Sequence, residues 1–356
     1  MKVCIFGDGL VGLSMAKALI NQDIYVDIFF NNYRKKTNQT RTIGLSDSNI
    51  KFYNKYVCKI EKFLWDIVEI DIYSENLKSD KLLNFNNKYK RLFSMIKNNQ
   101  LYDYLLLNLK KSRLIKFKKE KKNLSKIENE YKLIINCEVN NFLTKKFFHN
   151  RFNKNYKSFA HTTIIKHKKI YNNIATQIFT KKGPIAFLPL SDNETSIVYS
   201  VKGKKEIKLE ESIKKYNPKY QIIKIEDSSI FELKSRNLRS YHNKNILAFG
   251  DLLHRLHPLA GQGFNMSIRD LKELIKIIKH KQDLGLDLDY SVCTEFEKKM
   301  KHKNFIFSFG IDFIYEFFNF ENKTNNNTIS RSVKYFGKNK FTNKLFTNIA
   351  DRGLLF

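Results

Sequence analysis

The sequence predicts an α/β fold in which a βαβ-type domain is interleaved along the chain with a mostly antiparallel β-sheet domain, followed by a helical C-terminal region. Three observations support this fold class. A strand, a glycine-rich turn, a helix and a second strand follow one another within the first thirty residues. Short β-rich runs separated by turn signals occupy residues 151–239. Lysine-rich helical patterns extend from about residue 268 to residue 319.

Composition indicates a globular chain with a substantial core. Hydrophobic residues make up 42% of the sequence and aromatic residues 14%, which is too much for a disordered chain. The formal net charge is +30, but the lysines are spread almost throughout. Because polyanion binding relies on clustered charge, this spread favours a bias of composition over a specific nucleic-acid site. Binding of nucleic acid through the lysine surface stays open as an alternative function.

Cysteine usage and hydropathy indicate the compartment. The four cysteines are far apart and form no Cys-x-x-Cys pair, so we expect no disulfide framework, no metal site and a reducing environment. The N-terminus lacks a long apolar segment, and no run approaches eighteen apolar residues. We therefore expect a cytoplasmic protein with neither a signal peptide nor a spanning helix. Any contact of the protein with a membrane would be peripheral, on the cytoplasmic side of the inner membrane.

The first elements predict a Rossmann-like nucleotide site. The strand "KVCIF" ends in the turn "GDGLVG", the helix "LSMAKALINQ" follows, and "IYVDIFF" is the second strand. In such a unit Gly7 makes the tight turn, Gly9 lets the main chain approach a pyrophosphate, and Gly12 lets helix and strand pack closely. The helix N-terminus offers free N–H groups to the phosphates. A glycine turn without a ligand is the alternative for these residues taken alone.

Two positions after this unit bear on the nucleotide. An acidic residue at the end of the second strand usually binds the ribose hydroxyls, but this chain has Asn31 there. An amide oxygen accepts such a bond without the strength of a charged carboxylate. Arg41 follows in the polar loop "NQTRTIGLS", beside the presumed nucleotide turn. It is a second candidate for binding the cofactor, with a solvated charge as the alternative.

The middle of the chain predicts elements of both domains. Residues 97–112 have the spacing of an amphipathic helix. The lysine-dense segment 113–131 looks like an exposed hairpin or a solvated linker, and "KLIINCEVNNF" then begins as a buried strand. Residues 151–239 read as a mostly antiparallel sheet that includes "GPIAFLPL".

The stretch "NILAFGDLLHRLHPLAGQGFNMSIRD", residues 245–270, concentrates glycine and proline in a chain that has only 13 Gly and 4 Pro. This concentration of glycine and proline indicates a backbone with special turns, which could bind a ligand through main-chain groups. His254 and His257 lie in this stretch, but no carboxylate or cysteine cluster completes a metal shell around them. We interpret both as structural histidines.

Taken together, "GDGLVG", "RTIGLS", "GPIAFLPL" and "GDLLHRLHPLAGQGFNMSIRD" resemble the flavin-dependent aromatic hydroxylases of the para-hydroxybenzoate hydroxylase fold, and most closely their ubiquinone-biosynthesis branch. The resemblance covers most of the chain and implies FAD as the cofactor. It assigns the ribityl and pyrophosphate parts of FAD to a Gly-Asp pair and the ring to the loop that follows. The matching positions are Gly250, Asp251, Pro258, Gly261, Gln262, Gly263 and Asn265.

The chain departs from the family pattern after the buried strand. Relatives carry an Asp-Gly motif there, whereas this chain has "NCEVNN". Glu138 stands in for the aspartate as a candidate cofactor residue, and Val139 replaces the glycine. With Asn31, this departure predicts weakened FAD affinity.

The resemblance also implies the reaction. NAD(P)H, as a transient co-substrate, reduces FAD, and one oxygen atom of O2 then passes to the aromatic ring of a polyprenylated ubiquinone precursor. The strand "GPIAFLPL" would cover the flavin, and because side chains alternate along a strand, Phe187 or Leu188 would line the substrate chamber. No catalytic acid or base is identified. Implied partners are the polyprenylated phenol, a membrane surface and a quinone-biosynthesis complex.

The expected domains are discontinuous. Residues 1–70, 98–150 and 240–285 form the FAD-binding domain, 71–97 and 151–239 form the substrate domain, and 286–356 form the helical C-terminal region. Two further functions remain open at this point. One is a non-catalytic or FAD-deficient partner of a quinone-biosynthesis complex, and the other is a different flavoenzyme on the same fold, of the prenyl reductase or halogenase type.

Overall fold

A computed structural model describes residues 1–30, 40–75, 80–86, 91–119, 123–203, 205–257 and 262–324, except that nothing is said of the side chains of 317–319 and 321–324. The strands are β1 Lys2–Phe6, β2 Tyr25–Phe30, β3 Thr42–Ser46, β4 Trp65–Ile67, β5 Glu69–Ser74, β6 Lys81–Asn86, β7 Phe93–Lys97, β8 Ile115–Lys119, β9 Leu133–Asn136, β10 Arg151–His167, β11 Ile174–Thr180, β12 Gly183–Pro189, β13 Glu194–Lys202, β14 Ile222–Ile225, β15 Ser229–Leu238, β16 His242–Asn243, β17 Ile246–Ala248 and β18 His254–Arg255. The helices are α1 Leu10–Ile20, α2 Asp47–Tyr56, α3 Asn98–Lys110, α4 Leu124–Glu130, α5 Phe142–Phe147, α6 Leu209–Tyr216, α7 Gln262–Asp283 and α8 Tyr290–Thr324.

A six-stranded sheet in the order β16-β17-β9-β1-β2-β8 forms the half for which the sequence predicts a nucleotide site. Its neighbours β1, β2 and β9 run parallel, and β17 runs parallel to β9. The central strands are buried on both faces, which explains why β1 reads as an uninterrupted apolar run. The predicted order of strand, turn, helix and strand in residues 2–30 is confirmed.

One prediction for this half is wrong. The lysine-dense segment 113–131 is neither a hairpin nor a linker, because β8 within it pairs in parallel with β2 and α4 follows. The reason lies in alternation along β8. Ile115 and Phe117 pack against the main core, while Lys118 reaches the buried carboxylate of Asp27 at 2.6 Å. Burial alone would raise the pKa of Asp27, but hydrogen bonds from Lys118, Tyr131 and Lys2 hold that pKa below its usual range.

A nine-stranded sheet forms the second half, as predicted for residues 151–239. Its order is β18-β15-β10-β13-β12-β11-β5-β6, with β14 added to β10, and its neighbours are antiparallel except for β11 and β5. β3, β7 and β4 form a separate three-stranded sheet, so residues 93–97 join β3 and not the large sheet. The hydroxyls of Thr42 and Ser196 are 2.8 Å apart and tie β3 to the large sheet.

The helices complete the packing. The predicted helix 97–112 is confirmed as α3, which buries its leucine face beside α1. The two long helices α7 and α8 confirm the helical pattern predicted from residue 268 onward. Among the helices of the described residues, none is both long enough and apolar enough to cross a membrane.

Candidate functional site

Two glycines of the first motif are required by the backbone. Gly7 has φ of +103°, in the region that favours glycine. A Cβ on Gly12 would lie 2.1 Å from the carbonyl oxygen of Gly7, so helix α1 approaches the turn too closely for any side chain. These positions build the turn and hold α1 over the end of β1.

Gly9 differs, because the protein itself does not require a glycine there. It precedes α1 with an ordinary φ of −70°, it is exposed, and a Cβ on it would meet no atom of the described residues within 4 Å. The first N–H groups of α1 lie beside this open space, and a helix N-terminus carries partial positive charge. The turn therefore offers an open main-chain surface to an anion.

The second motif meets the first at the carboxyl edge of the six-stranded sheet. Gly250 has φ of +65°, and a Cβ on it would lie 2.9 Å from Cγ1 of Val11 in α1. The N–H of Phe249 donates to the carbonyl of Asn136 at the end of β9, and β9 lies next to β1. Segments about 240 residues apart in the sequence thus share one site.

Two carboxylates flank this junction. Burial raises the pKa of the Cys137 thiol, and the negative charges of Glu138 and Asp251 raise it further. Both carboxylates are therefore within electrostatic range of Cys137. Asp251 is exposed, whereas Glu138 is half-buried and accepts the N–H of Asn140 at 3.4 Å. Asp251 is thus directed to solvent beside the glycine turn.

The start of α7 forms the third part of the site. Gln262 is 9% exposed, and its side-chain oxygen has no hydrogen-bond partner in the described part of the chain. A Cβ on Gly263 would meet nothing within 4 Å, as at Gly9. Pro258 and Gly261 lie outside the described residues.

Asn265 has a structural task that its sequence position did not reveal. Its side-chain oxygen accepts the N–H of Ser46 and the amide of Asn49, each at 2.9 Å, and its own amide donates to the Gly44 carbonyl at 2.7 Å. The side chain is 2% exposed. It fastens α7 to β3 and α2, so its amide serves protein contacts.

We expect Asn265→Ala to destabilise the chain by about 2–4 kcal/mol, because several buried donors and acceptors lose their partner together. Urea unfolding followed by circular dichroism measures this. Asn54→Ala is a suitable comparison, because Asn54 bonds to an exposed carboxylate and one main-chain N–H. A loss at Asn265 no greater than that at Asn54 would contradict the fastening role.

The two remaining candidates of the nucleotide half are not brought to the site by any described contact. Asn31 lies outside the described residues. Arg41 is exposed, and its carbonyl accepts the N–H of Asn98 at 3.0 Å. Their assignment to the cofactor stays a prediction.

Both histidines of the long stretch are buried. His254 hydrogen-bonds through Nε2 to Asp270, which also accepts from Asn304 at 2.9 Å. The ring of His257 meets Tyr156 edge-to-face and lies tilted against Tyr315, with ring centroids 4.9 and 4.2 Å away. Burial, with a small contribution from a nearby lysine, lowers the pKa of His257 to about 3, so its ring is neutral. The described residues contain no group of three potential metal ligands.

The candidate substrate residues separate onto two faces of the large sheet. Phe187 is fully buried and stacks on Tyr220, in the core on the side of the sheet that α6 covers. Phe187 thus belongs to this core, which leaves Leu188 as the candidate for the chamber wall. Leu188 points to the opposite face and packs with Met95 of β7, in the three-stranded sheet that carries "TIGLS". The alternation was predictable, but the direction depended on tertiary packing.

A cluster of arginines was not predicted from the sequence. Arg151, Arg236 and Arg255 come from three strands and line one cavity. The local signal is weak, because each lies in a segment where basic residues are common. Only the pairing of β10, β15 and β18 brings them together.

Comparison with known proteins agrees with this geometry. Residues 204–282 match the family of FAD binding domains. The chain is 31% identical over 149 residues to 3-demethoxyubiquinol 3-hydroxylase of Escherichia coli, covering 39% of this chain and 38% of that protein. It is 27% identical over 177 residues to human mitochondrial ubiquinone biosynthesis monooxygenase COQ6, covering 37% and 38%. The matched part thus spans under two fifths of these relatives.

Solved structures extend the likeness to the whole fold. p-Nitrophenol 4-monooxygenase of Pseudomonas putida superposes with a TM-score of 0.80 at 9% identity, covering 99% of this chain and 98% of that one. HpxO of Klebsiella pneumoniae, in complex with FAD and uric acid, gives 0.74 at 12% identity, covering 98% and 97%. The predicted α/β fold is confirmed. The predicted resemblance to flavin-dependent hydroxylases of ubiquinone biosynthesis agrees with the names of the sequence relatives over the matched part.

The residues present fit FAD. The open surface at Gly9 suits a pyrophosphate, and the exposed Asp251 beside it suits ribityl hydroxyls. The unpartnered oxygen of Gln262 and the open side of Gly263 leave polar and main-chain groups for the flavin ring. FAD thus accounts for features that packing among the described residues does not explain.

Proposed function

We propose that the protein is an FAD-dependent monooxygenase that hydroxylates the aromatic ring of a polyprenylated ubiquinone precursor, using NAD(P)H and O2. The observation that carries this proposal is the meeting of Gly250 with Val11, which joins both glycine-rich motifs in one site with open main chain. The names of the sequence relatives, both of them ubiquinone-biosynthesis hydroxylases, support the substrate class.

The chain's own residues bind and orient the cofactor. The N–H groups that follow Gly9 would hold the pyrophosphate, and Asp251 would accept hydrogen bonds from the ribityl chain. The N-terminal end of α7 would direct its positive dipole at the flavin ring and stabilise negative charge there. Bound FAD supplies the chemistry of electron acceptance and oxygen activation.

The protein must also exclude water from the reacting ring. The face of the large sheet that carries Leu188 supports this task, because it turns toward the three-stranded sheet with β3. The Thr42–Ser196 hydrogen bond and the ion pair of Lys97 with Glu194, at 2.6 Å, hold the two sheets together. We assign the substrate chamber to this face, with Leu188 at its wall.

Product analysis tests the function. The FAD-loaded protein is incubated with NADPH or NADH, 18O-labelled O2 and a short-chain polyprenylphenol. We expect oxidation of the nicotinamide cofactor and one 18O atom in the hydroxylated product. FAD binding with reduction of a prenyl double bond or halogenation would identify another flavoenzyme, and a folded protein that takes up no FAD would indicate a non-catalytic partner.

A polyprenylated substrate requires access to a membrane, and we propose that α8 provides it. One side of this helix is buried in the core through Phe307, Ile311 and Tyr315, spaced four residues apart. The other side exposes large apolar side chains, Phe305 and Phe309 by 53% and 63%. Exposed aromatic rings on an amphipathic helix, on a chain of charge +30, suit an anionic lipid surface. Lys334, Lys338 and Lys340 of the basic C-terminal segment, also proposed to contact headgroups, lie outside the described residues.

Liposome flotation is expected to show binding to anionic vesicles that weakens with salt and with deletion of residues 330–356. Phe305→Ser with Phe309→Ser should lower binding about a hundredfold or more, because each buried phenylalanine contributes about 1.5–3 kcal/mol. Leu107→Ser is the matched control, since Leu107 is 61% exposed on α3. Equal binding of the phenylalanine and control variants would contradict the role of α8.

A further inference from the structure

A cavity of about 300 Å³ opens at one end of the large sheet and is strongly basic. It is lined by Arg151, Asn153, Lys154, Asn155, Lys234, Ser235, Arg236 and Arg255. No acidic side chain is among these lining residues. The proposed cofactor and substrate contacts use none of them.

Strand register places the key side chains on one face. Arg236 lies opposite Asn153 of β10 on one side and opposite Arg255 of β18 on the other. Residues opposite each other in antiparallel strands project from the same face, with Cβ atoms about 5 Å apart. Lys234 and Arg151, two residues along their strands, share that face. The cavity is thus built from the regular part of the sheet and not from a loop.

Three of its charges form no ion pair with a carboxylate of the described residues. Lys234 and Lys154 are ion-paired with Glu232 and Glu316 at 2.5 and 3.0 Å. For Arg151, Arg236 and Arg255, the described part of the chain supplies no ion pair with a carboxylate.

Arg236 is the most constrained of the three. Its Nε is buried without a hydrogen-bond partner in the described residues. Burial lowers the pKa of Arg236, and the positive charges of Arg151 and Arg255 lower it further. Like charges held together at a partly buried position are unfavourable unless an anion joins them.

The cavity is a neighbour of the proposed flavin site. β18, which carries Arg255, begins three residues after Asp251. The negative charge of Asp251 also acts on Arg236, so the two side chains are within electrostatic range. An anionic molecule in the cavity would lie beside the flavin and apart from the Gly9 turn that takes the pyrophosphate of FAD.

We infer that this cavity binds a phosphate group of the nicotinamide dinucleotide that reduces the flavin. Guanidinium groups match phosphate oxygens with paired, charge-assisted hydrogen bonds, and three of them without counter-ions suit a phosphate ester. The inference rests on the proposed function for the identity of the dinucleotide. The chemistry of the cavity itself requires only a phosphate-bearing small molecule.

The test uses the FAD-loaded protein and the variants Arg236→Gln and Arg255→Gln. Arg239→Gln is the matched control, because Arg239 is exposed, stacks on Phe152 at 4.4 Å and does not line the cavity. Titration with 2′,5′-ADP measures phosphate binding, and the KM for NADPH and NADH measures use of the donor. We expect each cavity variant to weaken 2′,5′-ADP and raise the KM about tenfold or more, with FAD content and thermal stability preserved.

The KM measurements and the 2′,5′-ADP titration distinguish the possible results. A rise in KM for NADPH alone would place the 2′-phosphate in the cavity, and an equal rise for both donors would place the pyrophosphate there; both support the inference. Wild-type KM and 2′,5′-ADP affinity in the variants would overturn it, as would loss of FAD itself. If neither donor reduces wild-type flavin, the proposed function fails, and the 2′,5′-ADP titration still decides whether the cavity binds phosphate esters.

Discussion

Gly9→Val is expected to lower FAD affinity about a hundredfold while leaving the fold intact, a factor that corresponds to about 3 kcal/mol of steric strain. The fold survives because no atom of the described part of the chain lies within 4 Å of an added Cβ, and φ of −70° is open to valine. FAD is lost because the valine methyl groups fill the space that the pyrophosphate would occupy. Titration of the flavin-free protein with FAD, followed by flavin fluorescence, measures the change in affinity.

The matched control is Gly310→Val on α8, where an added Cβ likewise meets nothing within 4 Å. It should leave FAD binding unchanged. FAD retained equally by the Gly9 and Gly310 variants would contradict the pyrophosphate assignment. Unfolding of the Gly9 variant would instead show that the space beside this glycine is needed by the protein itself.

Asp270→Ala should destabilise the chain by about 3–5 kcal/mol, the range for breaking one partner out of a buried charged hydrogen-bond network. Asp270 is 0% exposed and joins His254 of β18 to Asn304 of α8. Its removal leaves two buried polar side chains unsatisfied at the junction of both halves. Urea unfolding provides the measurement.

Asp283 is exposed and lies at the end of α7, the helix that also carries Asp270. Asp283→Ala should therefore change stability by less than about 0.5 kcal/mol. The double variant Asp270→Leu with His254→Leu should be less destabilised than the sum of the single variants, because it leaves only Asn304 without this partner, whereas the single variants together also strand His254 and Asp270. A change at Asp270 as small as that at Asp283 would show that the network contributes little.

The parts of this structure that local patterns specify were predictable. "GDGLVG" between two apolar runs predicts the turn at Gly7 and Gly12, because the required φ and the close helix packing are properties of a few adjacent residues. The second motif predicted a shaped backbone at Gly250 for the same reason. The alternation of β-rich runs predicted the large sheet.

The parts that depend on distant pairing were not predictable. The lysines of β8 read as a solvated segment because their partner Asp27 lies in another strand. Asn265 matched a cofactor motif, yet its amide is used by Gly44, Ser46 and Asn49. Some phenylalanines of α8 belong to the core and others to the surface. Phe307 is buried, whereas Phe309, two residues later on another side of the helix, is exposed.

The flavin content of the purified protein tests the central claim most directly. We predict that the chain binds FAD stoichiometrically, either as isolated or after addition of FAD, and that Gly9→Val lowers the bound fraction under the same conditions. The departures at Asn31 and Val139 are expected to weaken the affinity without removing the site. A folded wild-type chain that stays colourless and takes up no added FAD would contradict the account.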